Sequence, residues 1–340
     1  MKTALILITV LLTTQLRAQI KFATYWVAPS IPANMALKLS TDSLLIVDYE
    51  NLVNNHSELE IIKQQNPHIK LLIYSNPMEI WNKDIVNRPL ANSLRAQMPA
   101  AYKLKKSDGK PVIFWKNMEM MNMSSSCPSV NGKKYNQFYA EWLLTNVLSD
   151  PLIDGYFQDN GTPTIDWVDP LIDANNDGKA DNPQALNTVW QAGMTQFLRI
   201  IRQAKGKDFI IITNKGEKHF FFLNDGVMFE KFPNDYLGSK LAGGWYQCID
   251  NAKHAGPYTI FQVDTKNLEF GLASSLLLDE VFITLGQNIQ VPEQFRTPTG
   301  KAISAMYKKG SIYYRDYELV TVEVNPELKT GRLVKRATAP

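Results

Sequence analysis

The stretch "GYFQDNGTPTIDWVDPLIDANNDGKADNP", from Gly155 to Pro183, joins a short apolar run, a long acidic loop and the start of a helix. Asn182 is a favourable helix cap, and Pro183 suits the first helical position. The residues up to Ala204 carry an apolar stripe at steps of three and four, and Gly206 follows as a stop signal. A buried strand followed by an amphipathic helix is the repeating unit of an α/β fold.

Seven further apolar runs of the same kind, rich in Ile, Val, Phe and Tyr, occur on both sides of this one. Together the eight runs span Ile20–Val27, Ser43–Glu50, Ile69–Asn76, Asp154–Asn160, Asp208–Asn214, Gly226–Phe232, Tyr258–Asp264 and Val281–Gly286. Nearly continuous apolar character is typical of parallel strands that are buried on both faces. Because helical patterns separate most of the runs, the sequence predicts a (β/α)8 TIM barrel over residues 19–300. A doubly wound open sheet is the main alternative, but no Gly-rich phosphate loop is present.

Two segments depart from the strand–helix alternation. "YKLKKSDGKPVIFW" (Tyr102–Trp115) is typical of a hairpin that turns at Asp108 and Gly109. Near the end, Gly310–Pro326 alternates as a strand does. The roughly 40 residues after the barrel are too few for a normal domain, so residues 301–340 are predicted to form a small C-terminal β appendage that packs on the barrel.

The first 18 residues have the features of a secretory signal peptide. Lys2 provides a basic start, Ala4–Leu12 is apolar, and the small residue Ala18 precedes Gln19. We expect cleavage after Ala18 and an exported protein, either periplasmic or secreted. No later apolar run is long enough to predict a membrane span.

Overall composition narrows the classes of partner. A formal net charge of +3 over 340 residues is nearly neutral, which argues against nucleic acid as a partner. We expect a monomer. The seven Trp, 14 Tyr and 15 Phe are numerous enough to supply both a core and sugar-stacking surfaces. Only Cys127 and Cys248 could form a disulfide, and the sequence leaves their pairing open.

Polar residues recur where the predicted strands end, which is where TIM barrels carry their active sites. Any one of them could simply meet solvent, and Asp48 and Asp264 could instead pair with Lys or Arg. As a set they favour a functional rim. They are Asp48, Glu50, Tyr74, Asn76, Asp159, Asn214, Glu230 and Asp264.

Aromatic side chains near the rim are candidates for stacking on sugar rings. Tyr25, Trp26, Tyr74 and Trp245 are predicted as substrate contacts, although core packing is an equally open interpretation of each. Glycoside hydrolysis suits such a rim, because it needs two carboxyl groups that face each other from rigid positions. No G-x-S-x-G motif of a serine hydrolase is present.

The acidic loop matches the spacing of an EF-type calcium site. Its predicted ligands are Asp173, Asn175, Asp177, the backbone carbonyl of Lys179, and Asp181, with Gly178 at the sharp turn. Gln184 stands where a bidentate Glu is usual, so we expect modest Ca²⁺ affinity. The alternative is a hydrophilic turn held by local hydrogen bonds.

Several segments, taken in order, resemble a family of exported bacterial barrels known as hypothetical glycosyl hydrolases, similar to endo-α-1,4-polygalactosaminidase-like barrels. The resembling pieces are "DGYFQDN", "DANNDGKAD", Trp190, "ITN", "VMFE" and "YYRDYE…VEVNP". The resemblance implies a TIM barrel in which Asp159 is the nucleophile and Glu230 the acid/base. The neighbours agree: Phe229 and Phe232 should raise the pKa of Glu230, whereas a polar turn follows Asp159.

The sequence therefore predicts a glycoside hydrolase acting on an extracellular or periplasmic polysaccharide or oligosaccharide. A carbohydrate-binding barrel without catalysis is the main alternative. A hydrolase that uses a metal in the acidic loop fits less well, because its ligands suit a closed calcium site.

Overall fold

The computed structural model describes residues 20–215, 218–234 and 243–336, so the predicted signal peptide lies outside the described residues. Eight parallel strands form one sheet and pair in chain order. They are β1 Ala23–Trp26, β2 Leu44–Asp48, β3 Lys70–Ser75, β4 Gly155–Gln158, β5 Ile210–Asn214, β6 Gly226–Phe229, β7 Thr259–Gln262 and β8 Val281–Thr284. The sheet closes where Ile283 of β8 donates its backbone N–H to Lys21 at 2.9 Å. The predicted barrel is confirmed.

Alternate residues of each barrel strand face opposite sides, as the pleat of a strand requires. Tyr25, Phe157 and Met228 belong to the cluster that fills the barrel. Their neighbours Trp26 and Phe229 belong instead to the outer clusters beneath the helices. This alternation decides which residue beyond each strand end can reach the mouth of the barrel.

Eight α-helices are described: α1 Ala36–Leu39, α2 Asn51–Asn54, α3 His56–Gln65, α4 Pro89–Ala96, α5 Tyr135–Asn146, α6 Pro183–Lys205, α7 Gly244–Ala252 and α8 Leu268–Leu276. The Asn182 side chain caps α6 as predicted, accepting from the backbone N–H of Gln184 and Ala185. Between β5 and β6 the described residues contain only the 3₁₀ turn Lys218–Phe220. Within the described ranges, no helix combines the length and apolarity that a membrane crossing requires.

The connection from β3 to β4 builds one wall of the barrel mouth. Its short strands Glu79–Trp81 and Met118–Met120 pair with each other. The predicted hairpin does turn at Gly109, but its Lys105–Lys106 strand pairs mainly with Ile172–Asp173. This pairing joins the connection to the acidic loop that follows β4.

The chain ends in a four-stranded antiparallel sheet, which confirms the predicted β appendage. Its strands are β9 Tyr307–Lys309, β10 Ile312–Asp316, β11 Val320–Asn325 and β12 Thr330–Lys335. Val320, Val322 and Val324 are buried in the same cluster as residues of α8. A Cβ atom at Gly331 would lie 2.6 Å from the Cβ of Ala273 in α8, so glycine permits this close packing.

The two cysteines do not form a disulfide. Cys127 and Cys248 are both buried and unpaired. Burial raises the pKa of the Cys127 thiol to about 11 and that of Cys248 to about 12, so both are unreactive thiols near neutral pH.

Candidate active site

A cleft of about 620 Å³ opens at the carboxyl ends of the barrel strands. This volume lies within the range of about 300–1,000 Å³ that is usual for ligand sites. The cleft brings together seven of the predicted site residues: Tyr25, Asp48, Tyr74, Asn76, Asp159, Asn214 and Glu230. They come from six different strand ends, so convergence at the rim is what assembles the site.

Asn214 links the two predicted catalytic carboxylates. Its Nδ2 donates to Asp159 Oδ1 at 2.8 Å and to Glu230 Oε2 at 3.0 Å. Since one amide nitrogen serves both oxygens through its two hydrogens, those oxygens lie about 5 Å apart. Asp159 follows β4 and Glu230 follows β6, so the two groups face each other from separate rigid strands.

Asp159 is held by donors on both of its oxygens. The Tyr74 hydroxyl donates to Oδ2 at 2.7 Å, and the Asn160 backbone N–H donates to Oδ1 at 2.8 Å. Burial, followed by the Asp159 charge, raises the pKa of Tyr74 well above its usual value, so this hydroxyl stays protonated. Together with Asn214, these donors stabilise negative charge on Asp159.

Glu230 reaches the cleft because of the strand alternation. Met228 faces the barrel interior and Phe229 faces outward, so the next side chain points into the mouth. Burial is the main cause that raises the pKa of Glu230; the Asn214 hydrogen bond lowers it and the Asp159 charge raises it. The direction of this pKa shift is the one expected from the sequence, with burial as its main cause.

A further carboxyl group in the cleft, that of Glu79, is not among the predicted site residues. It lies four residues beyond β3 and is 5% exposed. It accepts from the Asn76 side chain at 2.9 Å and from the Trp115 backbone N–H at 3.0 Å. Burial raises its pKa to about 7, and the Asp159 charge adds to the shift. The only sequence signal for Glu79 is its proximity to the rim residue Asn76.

Asp48 and Glu50, at the end of β2, have structural partners. Asp48 lines the cleft, where it accepts from Arg88 Nη1 at 2.8 Å. Glu50 is fully buried and accepts from the backbone N–H groups of Leu90 and Ala91, at 3.0 and 2.7 Å. Glu50 thus stabilises the first turn of α4, and it does not line the cleft.

Three further predicted contacts lie outside the cleft. Trp26 is buried in the outer layer, where its indole donates to the Ser30 carbonyl at 3.0 Å. Trp245 is buried in α7, where its indole donates to Ser274 Oγ. Asp264 is exposed beyond β7. By contrast, the aromatic residues Trp81, Phe114, Trp115 and Trp167 line the cleft although none was predicted to do so.

The acidic loop has the hydrogen bonding of a tight turn. Asp173 is buried, and its two oxygens accept from the backbone N–H groups of Asp177 and Gly178. Asp181 accepts from Ala174 N–H at 2.7 Å, and Asn175 also accepts from Asp177. Among the described residues, no group of three or more His, Cys, Asp or Glu could hold a metal ion. Calcium binding through this loop, including Lys179, stays a prediction.

The fold is shared with known glycoside hydrolases. The chain is similar to a noncanonic maltogenic alpha-amylase from Thermotoga neapolitana, with a TM-score of 0.52 and 9% identity over 91% of this chain and 86% of that one. It is also similar to a GH31 dextranase from Flavobacterium johnsoniae, complexed with glucose, with a TM-score of 0.54 and 13% identity over 82% of this chain and 37% of that one. At these identities the likeness concerns the fold alone. A comparison with curated proteins gives no match.

A family model identifies the chain more directly. The model described as "Hypothetical glycosyl hydrolase family 15" matches residues 63–320, which is well over half of the sequence. The matched region contains both Asp159 and Glu230, together with Asn214 between them. The resemblance to hypothetical glycosyl hydrolases is confirmed: the chain belongs to hypothetical glycosyl hydrolase family 15.

Proposed function

We propose that this chain is a retaining glycoside hydrolase in which Asp159 is the nucleophile and Glu230 the acid/base. The observation that carries the proposal is the Asn214 amide, which donates to both carboxylates through one nitrogen. Carboxyl groups about 5–5.5 Å apart are typical of retaining enzymes, whereas about 6.5–9.5 Å is typical of inverting ones. The oxygens that share Asn214 fit the shorter spacing.

In this mechanism the Glu230 carboxylic acid protonates the glycosidic oxygen while an Asp159 oxygen attacks the anomeric carbon. The sugar–oxygen bond breaks, and a covalent glycosyl–Asp159 ester forms. The Glu230 carboxylate then removes a proton from water, which displaces Asp159 and restores both groups. The raised pKa of Glu230 suits the first step, because the group must arrive protonated.

The substrate is proposed to be a polysaccharide or oligosaccharide outside the cytoplasm. The basic start and apolar run of residues 1–18 support export. The mature protein from an exporting bacterial host should begin at Gln19 by mass spectrometry. Recovery of the full chain, with Met1 intact, from the cytoplasm alone would contradict this location.

The test of function starts with a panel of polysaccharides and dinitrophenyl glycosides. For a cleaved substrate, Asp159→Asn and Glu230→Gln should each lower the rate by at least about 100-fold, the usual scale for a catalytic proton-transfer group. Dinitrophenolate leaves without protonation. On a dinitrophenyl glycoside, Glu230→Gln should therefore still release the leaving group in the first step, whereas Asp159→Asn should not. The first-formed anomer, followed by NMR, should match that of the substrate.

Two outcomes would overturn the assignment. If Glu79→Gln lost all hydrolytic activity while Glu230→Gln kept near-normal turnover, Glu79 would be the acid. Tight binding of an oligosaccharide without hydrolysis of any substrate in the panel would favour a carbohydrate-binding barrel instead.

A further inference from the structure

Besides the carboxylate pair, the cleft has an aromatic wall made of Phe114, Trp115 and Trp167. Trp115 and Trp167 line the same cleft as Asp159, yet they are 41% and 44% exposed. They come from different connections, Trp115 from β3–β4 and Trp167 from β4–α6. Large rings left half-exposed in a concave site are typical of surfaces that a ligand covers.

Contacts beneath the two indoles fix their orientation. Phe114 packs edge-on against both, with ring centroids 5.1 Å from Trp115 and 5.2 Å from Trp167. The Trp167 indole donates to the Thr164 carbonyl at 2.9 Å. The Trp115 backbone N–H is bonded to Glu79 inside the cleft. The wall is therefore ordered before a ligand arrives, which lowers the entropic cost of binding.

The charges of the cleft restrict what can lie against this wall. Among the described lining residues, the acids are Asp48, Glu79, Asp159 and Glu230, and the cations are Arg88 and Lys215. Arg88 pairs with Asp48, and the Lys215 ammonium lies 5.8 Å from the centre of the Trp167 ring. When Glu79 and Glu230 are both ionised, the acids outnumber the cations by four to two and repel a chain of negatively charged sugars. When both are protonated, the charges balance and no net attraction acts on such a chain.

We propose that Trp115 and Trp167 form a distal subsite for an uncharged sugar unit, so that the substrate is a neutral oligosaccharide or polysaccharide. This inference rests on the proposed function for where cleavage occurs, but not for the binding itself. The apolar faces of a pyranose would stack on the indoles, while its hydroxyl groups stay near water and Lys215. A glycoside of a single sugar would reach the carboxylates without touching the wall.

The test measures binding by calorimetry in the Asp159→Asn background, with Glu230→Gln as a second background should the first not fold. The probes are malto-, isomalto-, cello- and xylo-oligosaccharides of one to six units, and oligogalacturonates as charged chains. One neutral series should bind more tightly as it lengthens. Trp115→Ala and Trp167→Ala should each weaken the longest member about tenfold, the effect of losing part of an aromatic contact area. They should leave the monosaccharide unchanged.

Tyr246→Ala is the matched control, because this ring is 47% exposed on α7 and does not line the cleft. It should leave every affinity unchanged. The subsite would be overturned if affinity did not depend on chain length, or if Trp115→Ala and Trp167→Ala weakened the binding of all lengths equally. It would also be overturned if the protein preferred oligogalacturonate, or if no probe bound. Chain-length-dependent binding without hydrolysis by the unaltered protein would keep the subsite and overturn the proposed function alone.

Discussion

Replacing Asn214 by Ala should raise the pKa of Glu230. The Asn214 amide stabilises the charged form of Glu230 and at the same time separates it from the charge of Asp159. A hydrogen bond to a charged group is worth about 1.5–3 kcal/mol, and 1.36 kcal/mol corresponds to one pKa unit. The pKa of Glu230 should therefore rise by about one to two units in Asn214→Ala.

The same change makes stability more sensitive to pH. Because the folded pKa of Glu230 is raised above 4.5, its contribution to stability is full below pH 4.5 and is lost as pH rises through the folded pKa. Asn214→Ala raises that folded pKa further, so protonated Glu230 persists to higher pH. The free energy of unfolding of the variant should then fall over a wider pH range than in the unaltered chain.

The assay is an NMR titration of protein labelled with ¹³C at the Glu carboxyl carbons, in which Glu230→Gln identifies the resonance. It needs no substrate, so it stands apart from the activity screen. Asn224→Ala is the control, since Asn224 donates to Thr213, beside Asn214, and to neither carboxylate. A Glu230 pKa that is unchanged or lower in Asn214→Ala, or raised equally in Asn224→Ala, would refute the bridging role.

Three further predictions concern other parts of the molecule. Because the pKa of Glu79 is raised to about 7, its contribution to stability is lost between pH 4.5 and 7. Glu79→Gln should remove on the order of 3 kcal/mol of the fall in unfolding free energy over that window. Denaturant unfolding that shows the same pH dependence in the variant and the unaltered chain would contradict this. Millimolar Ca²⁺ should raise the melting temperature relative to chelator, and less so in Asp173→Asn; calorimetry that finds no effect would remove calcium from the loop. Gly193→Ala should destabilise the fold by about 1–3 kcal/mol, since a Cβ there would lie 1.8 Å from the Met123 carbonyl oxygen; an unchanged denaturation midpoint would contradict the close packing.

The barrel and the meeting of Asp159 with Glu230 could be predicted because both follow from local patterns. Strands that are buried on both faces give long apolar runs, and parallel strands bring their carboxyl ends to one rim. Asp159, Asn214 and Glu230 lie at or next to such ends, so their meeting needed no knowledge of the loops.

Trp26 could have been placed correctly from the sequence. Its neighbour Tyr25 faces the barrel interior, so a two-residue period sends Trp26 outward. Asp264 shows the limit of the same rule, because the chain leaves β7 at Gln262 and enters a 3₁₀ turn at Thr265–Asn267. One residue past a strand end, as at Glu230, alternation still holds; two residues past it and next to a turn, as at Asp264, it no longer predicts direction.

Glu79, Trp115 and Trp167 could not be predicted because loop packing places them. The β3–β4 connection is held by pairing of Lys105–Lys106 with Ile172–Asp173, more than sixty residues away in sequence. Such non-local pairing leaves no periodic signal in either segment. The aromatic wall and the position of Glu79 therefore emerge only once the two loops are seen together.

In the proposed mechanism Asp159 becomes covalently attached to the sugar, and this intermediate can be trapped. The protein is incubated with fluorinated glycosyl fluorides matched to the cleaved substrate, then digested and mapped by mass spectrometry. We expect one glycosyl group on the peptide that carries Asp159, and none in Asp159→Asn. A label on Glu230 or Glu79, or inversion of the anomer without any label, would contradict it.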